Sequence, residues 1–250
     1  MGIDRFDLLM KSQEVRRELG EDETSPTDIF ALVTAIEKLT IVRYPMSDNL
    51  SGMCIKAQDN CVIAINSRMS LGRQRFSLAH ELYHLYYDKS MTAICSADIG
   101  SGSEVERSAD IFAAYFLIPP AALKSKIRAL KTEGVSSIGL NEAIQLEQYF
   151  GVSHQAMLNQ LIGEKEITAE QAANMKSGVT RAAEELGFST ELYRRFPPEK
   201  QYQTNGYLIK QTVDALEKDL ISEGKYEEIL LQAFRSDLVF GDDEGGEAFD

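Results

Sequence analysis

Leu71-Gly72-Arg73-Gln74-Arg75-Phe76-Ser77-Leu78-Ala79-His80-Glu81-Leu82-Tyr83-His84-Leu85-Tyr86-Tyr87-Asp88 reads as one helix, and the rest of the fold is arranged around it. Phe76, Ala79, Tyr83 and Tyr86 recur at three-to-four spacing, and no Gly or Pro interrupts the run after Gly72. His80 and His84 are four apart, so they stack one turn apart on a single face. Two imidazoles so placed converge on one ion. Zinc is the ion that most often takes two His nitrogens together with a carboxylate. Glu81 lies about 100° around the helix from His80. It stays out of the ligand face and is placed to act as a general base. The chain has only three histidines, and two of them form this pair.

A catalytic zinc site needs a third protein ligand and an open fourth position. The residues 104–116 read as a helix with Val105, Ala109, Phe112, Ala113 and Phe116 facing the core, stopped by Pro119-Pro120. Glu106 is the candidate third ligand. Asp110, four residues on, shares its face and can accept the spare N–H of a ligand imidazole. Ser103 with Glu106 also makes a capping box, but Ser101 with Glu104 makes the same box one register earlier. The cap role is thus available elsewhere, which leaves Glu106 as ligand, with Glu104 as the fallback.

These stretches resemble the ImmA/IrrE metallopeptidases. The matching segments are Arg75 to Leu85, Glu106-Arg107-Ser108-Ala109-Asp110 continuing to Pro119, and Phe150-Gly151-Val152-Ser153-His154-Gln155-Ala156-Met157 followed by Leu161. The resemblance covers roughly residues 25–165. It implies a zincin-like peptidase domain of the thermolysin type, holding one Zn2+ per chain through His80, His84 and Glu106, with Glu81 catalytic. It further implies a cytoplasmic protein that cleaves, or otherwise inactivates, a helix-turn-helix repressor of a mobile element, defence or stress system. Beyond about residue 165 nothing carries over.

Composition sets wider bounds. With 250 residues and 44% hydrophobic content, the chain can bury one full core and a second small one. No apolar run reaches membrane-span length, and no basic-then-apolar leader opens the chain. Cys54, Cys61 and Cys95 are too few, and odd in number, for a disulfide framework, which points to a reducing, cytoplasmic setting. A net charge of −13 speaks against nonspecific DNA binding. Asp242, Asp243, Glu244, Glu247 and Asp250 make 241–250 read as an acidic disordered tail.

The expected class is α+β: a mainly helical peptidase domain over 1–165 with a small antiparallel sheet, and a helical extension over 166–240 as a candidate regulatory segment. Helices are expected at 3–19 and 26–39, the second opened by Pro26. A strand at 40–44 precedes a hairpin of 51–57 with 61–66 around Asp59-Asn60. An exposed edge strand there could align an extended peptide. Helices follow at 104–117, 120–132, 139–150 and 153–163. The last two form a helix-turn-helix-like pair over 139–163, but no Arg or Lys lies between Asn141 and Gly163, which favours a structural pair over DNA readout. The extension is expected as helices at 168–186, 190–196, 205–222 and 225–236.

Zinc-dependent endopeptidase action is the reading these residues favour, and the resemblance implies one regulatory protein as the target. The alternative is a non-proteolytic interaction protein, an anti-repressor or toxin-antitoxin component that binds through helical surfaces. Tyr83, Tyr86, Tyr87 and His154 are available as oxyanion stabilisers, and spacing alone assigns none. Cys95 falls in the loop 91–102 between the two ligand helices. Were that loop to fold over the cleft, its thiolate could take the fourth zinc position and inhibit the enzyme; a small buried hydrophobe is the commoner fate of a free Cys.

Overall fold

Runs rich in Val, Ile and Thr become strands at Leu39–Tyr44 (β1) and Cys61–Asn66 (β3). They pair in parallel, from Leu39↔Cys61 to Tyr44↔Asn66. Leu50–Lys56 (β2) joins β3 as an antiparallel hairpin that closes at Lys56↔Cys61. Thr92–Ser96 (β4) pairs antiparallel with β2, and Gln203–Gly206 (β5) antiparallel with β1. The sheet order is β4-β2-β3-β1-β5. These strands belong to a computed structural model that describes residues 2–58, 60–132 and 137–241.

Arg5–Glu18 (α1) is capped by Asp4, whose carboxylate accepts from the Phe6 and Asp7 amides. Ile29–Leu32 (α2) runs into a 3-10 turn at Val33–Ala35. Leu71–Tyr87 (α3) lies across β2 and β3 and packs against Glu104–Leu117 (α4), which in turn carries α1. Ile63 and Ile65 from the sheet, Leu78 and Leu82 from α3, and Phe112 and Phe116 from α4 are fully buried in one cluster. Each such side chain contributes about 1.5–3 kcal/mol by leaving water. The His pair therefore rests on a rigid three-layer support.

Pro120–Thr132 (α5), Leu140–Phe150 (α6) and His154–Gly163 (α7) complete the part of the chain before residue 165. The start of α3 presses on the α6–α7 turn: a Cβ on Gly72 would stand 2.8 Å from the Ser153 amide nitrogen. Arg16, fully buried, donates to the carbonyls of Asp22, Ser25 and Phe116, so it ties the end of α4 to the loop after α1. Beyond residue 165 come Ala169–Asn174 (α8), Val179–Glu185 (α9), Tyr207–Glu217 (α10), Glu223–Gln232 (α11) and Ser236–Phe240 (α12).

The structure is α+β, as the sequence reading expects, with helix in the majority. Several elements depart from expectation. The sheet is mixed rather than purely antiparallel, because β3 inserts between β2 and β1. Residues 26–39 are not one helix: only α2 and a 3-10 turn form, since the β-branched Val33, Thr34 and Ile36 weaken a helix and Lys38 turns the chain with a φ of 59°. The 91–102 loop contains β4. The segment 168–186 breaks after α8 at Ser177-Gly178, where Gly178 has a φ of 77°. The segment 166–240 is not helical throughout, because β5 returns to the sheet beside β1. Asp59 of the hairpin turn, and the expected acidic tail except Gly241, lie outside the described residues. Among the described residues, no helix is long and apolar enough to cross a membrane.

Candidate metal centre

The pitch of α3 sets His80 and His84 one above the other, and both are buried. His80 Nδ1 donates to Asp110 Oδ1 at 2.8 Å, and His84 Nδ1 donates to Asp88 Oδ2 at 2.9 Å. The donor roles follow from the partners, since carboxylates only accept. With Nδ1 protonated on each ring, both Nε2 atoms present lone pairs, and these face each other across 3.2 Å.

Glu106 completes the cluster from α4. Its Oε2 is 3.3 Å from His80 Nε2, and its Oε1 is 3.4 Å from His84 Nε2. Its position is set locally: the Ser103 hydroxyl accepts from the Glu106 amide and starts the helix. The cap thus uses the backbone of Glu106 and leaves its side chain for the histidines. Glu104, the fallback ligand, is exposed and outside the cluster. Cys95, from β4, brings its sulfur within 4.8 Å of the His80, His84 and Glu106 ligand atoms.

Electrostatics at the centre are those of an acceptor-rich pocket. Burial opposes charge on His80, yet the hydrogen bonds to Asp110 and Glu106 outweigh it and raise its pKa to about 9. His84 is lowered, chiefly by burial. The His80 contact holds Glu106 below the usual carboxylate range, against burial. Without a cation, the pocket meets its own excess of acceptors by holding a proton on His80. A metal fits the same need. Nitrogen and oxygen ligands about 2.0–2.1 Å from one tetrahedral zinc stand about 3.3 Å apart, which is the spacing of the two Nε2 atoms and the Glu106 oxygens.

Glu81 is fully buried, and neither oxygen makes a well-formed hydrogen bond. The neighbouring Cys95 thiol supplies a side-chain hydrogen-bonding contact that only partly offsets burial. Burial raises the Glu81 pKa to about 7. A buried carboxyl without a partner is costly to keep, and it is accounted for if its partner is the chemistry at the centre. Gly52 in β2 makes the room: a Cβ there would meet Glu81 Oε1 at 2.8 Å and the Ala64 carbonyl at 2.9 Å.

The structure brings together His80, His84, Glu106, Glu81, Asp110 and Cys95, drawn from α3, α4 and β4. Asp88, Lys56 and Gly52 were not anticipated from sequence. Asp88 was legible there, four residues after His84 with the spacing that reaches its ring. Lys56 donates to the carbonyls of His84 and Asp88 and fastens the end of α3 to β2. Asp110 is itself oriented by the Gly100 amide. The remaining candidates are engaged elsewhere. Tyr86 donates to Glu18, and Tyr87 to Lys11 and Glu14, all on α1. Tyr83 packs on Phe112 and Tyr87, edge-on to His84. His154 bonds Glu147 and the Met175 carbonyl, and α7 buries Ala156, Met157, Leu158, Gln160 and Leu161.

Residues 38–161 match a protein-family model, Peptidase_M78, described as the IrrE N-terminal-like domain. The match spans β1 to α7 and so contains the whole cluster. No curated protein matches the chain significantly.

Proposed function

Through residues 38–161 the chain belongs to the ImmA/IrrE metallopeptidase family, and from that premise we propose that it is a zinc-dependent endopeptidase acting on one regulatory protein. The observation that carries this reading is the convergence of two Nε2 atoms and a carboxylate beside the fully buried Glu81. His80, His84 and Glu106 would hold one Zn2+, with Asp110 and Asp88 fixing the two rings. Zinc in such a site polarises the scissile carbonyl and acidifies a water molecule.

The chain's own residues do the rest. Glu81, with its proton affinity brought near neutrality by burial, takes a proton from the attacking water and returns it to the leaving amine. β4 lies at the sheet edge next to the centre, and its outer side pairs with no strand among the described residues. Ile94 on β4 is well exposed. An extended peptide adding to this edge would run past the metal.

For the substrate we propose a helix-turn-helix repressor, a choice supported by resemblance to the family. Cytoplasmic placement is supported by three free thiols, which suit a reducing compartment. Incubating the zinc-loaded protein with a repressor encoded beside its gene tests the reading. Cleavage at a defined bond that disappears with Glu81→Gln is the expected outcome. Repressor inactivation without cleavage, unchanged by Glu81→Gln, would favour a binding anti-repressor instead.

A further inference from the structure

Cys95 sits in β4 directly opposite Gly52 of β2, and it is completely buried. Burial alone says little, because a free thiol is commonly a small core hydrophobe. The other two cysteines behave in that way: Cys54 belongs to the apolar core and Cys61 packs against it. Cys95 does neither. Its sulfur lies among His80, His84 and Glu106, and Glu81, fully buried with both oxygens unpaired, borders it. Gly52 leaves open the space beside Glu81 that a side chain opposite Cys95 would otherwise fill. The thiol is therefore placed as a donor in a polar cluster.

Resting on the reading of this centre as a zinc site, we propose that Cys95 is the fourth protein ligand in the resting protein and closes the position that substrate must use. Thiolate is a soft, favoured zinc ligand at about 2.3 Å, and zinc sites with four protein ligands are closed to chemistry. When Cys95 ligates, its S–H bond breaks, the sulfur keeps the electron pair that it donates, and the proton leaves to solvent. One contact thus closes the position that substrate must use. Release is the reverse: the sulfur takes a proton back, and the fourth position opens to water.

Cobalt(II) bound to the full chain in place of zinc tests this with an optical readout. Wild type is expected to show the visible bands of a four-coordinate site together with a near-ultraviolet thiolate-to-cobalt charge-transfer band. In Cys95→Ser the visible bands should persist while the charge-transfer band disappears. Zinc affinity should fall by about tenfold or more, and repressor cleavage should rise. Because Cys95 is buried and its variants could misfold, a Cys54→Ala/Cys61→Ala double variant is measured beside them; it should keep the band. Visible bands without charge transfer in wild type would overturn Cys95 ligation and leave the metal centre standing. Charge transfer surviving in Cys95→Ser, or lost in the double variant, would overturn it as well. No cobalt binding at all would overturn the zinc reading and this inference together.

Discussion

At the residue scale, the centre is explained by which atoms can donate. His80 and His84 each spend Nδ1–H on a carboxylate, so their Nε2 lone pairs and the Glu106 oxygens require a positive charge between them. His80→Ala and His84→Ala should each abolish tight zinc binding, measured as metal content after dialysis. Glu106→Ala should weaken it strongly, while Glu104→Ala should not, because Glu104 faces solvent. Asp88→Asn and Asp110→Asn should each lower zinc affinity about 10- to 100-fold through loss of ring orientation. Wild-type affinity in Asp88→Asn would remove Asp88 from that role.

Glu81 also makes a prediction about pH. Burial raises its folded pKa from 4.5 to about 7. Below pH 4.5 the folded and unfolded chains both hold the proton, and stability is at its full value. As pH rises, the unfolded chain releases its proton first, so the metal-free protein loses stability across roughly pH 4.5–7. The loss is about 3 kcal/mol. Glu81→Gln removes that contribution, so its stability advantage over wild type should grow from pH 5 to pH 8 in urea unfolding of the metal-free proteins. Equal pH slopes for the two would contradict the buried, unpaired carboxylate.

At the scale of elements, legibility followed length and local signals. The α3 and α4 helices were readable because each has a long apolar face, and α4 has a serine cap and a diproline stop. The α6–α7 pair was readable from Gly151-Val152-Ser153. β4 was not, because a five-residue edge strand owes its hydrogen bonds to β2, a partner far away in sequence. Cys95 therefore reads as a loop residue in the sequence, whereas it sits in a fixed register opposite Gly52. Gly52 was itself illegible, since its need for hydrogen at Cα comes from α3 packing down on the sheet. Gly52→Ala tests this contact directly. It should destabilise the protein by about 1–3 kcal/mol as a small-to-large change in packed surroundings, and it should reduce cleavage by displacing Glu81. A variant as stable and active as wild type would show that the strand and helix can part freely.

At the scale of the whole molecule, the segment after residue 165 is joined to the sheet. β5 covers the outer edge of β1, the Leu208 amide donates to Thr40 Oγ1, and Arg235 reaches the Thr204 carbonyl. A chain ending at residue 190 would expose the β1 edge, which is a template for aggregation. It should therefore be less soluble and melt at lower temperature than the full chain, although it keeps every residue of the metal centre. Unchanged solubility and melting would make that segment an independent appendage. The proposed action on a single regulator predicts narrow specificity. Efficient digestion of casein by the zinc-loaded protein would count against it.

The central claim is that the α3–α4 cluster holds zinc for hydrolysis and that Glu81 is the base. The most direct measurement is the cleavage rate of the candidate repressor by Glu81→Gln protein that carries one zinc per chain. That substitution leaves His80, His84 and Glu106 in place and removes only the proton acceptor. The account predicts full zinc occupancy with cleavage reduced about 10²- to 10⁴-fold. Cleavage at the wild-type rate by the fully loaded variant would contradict it.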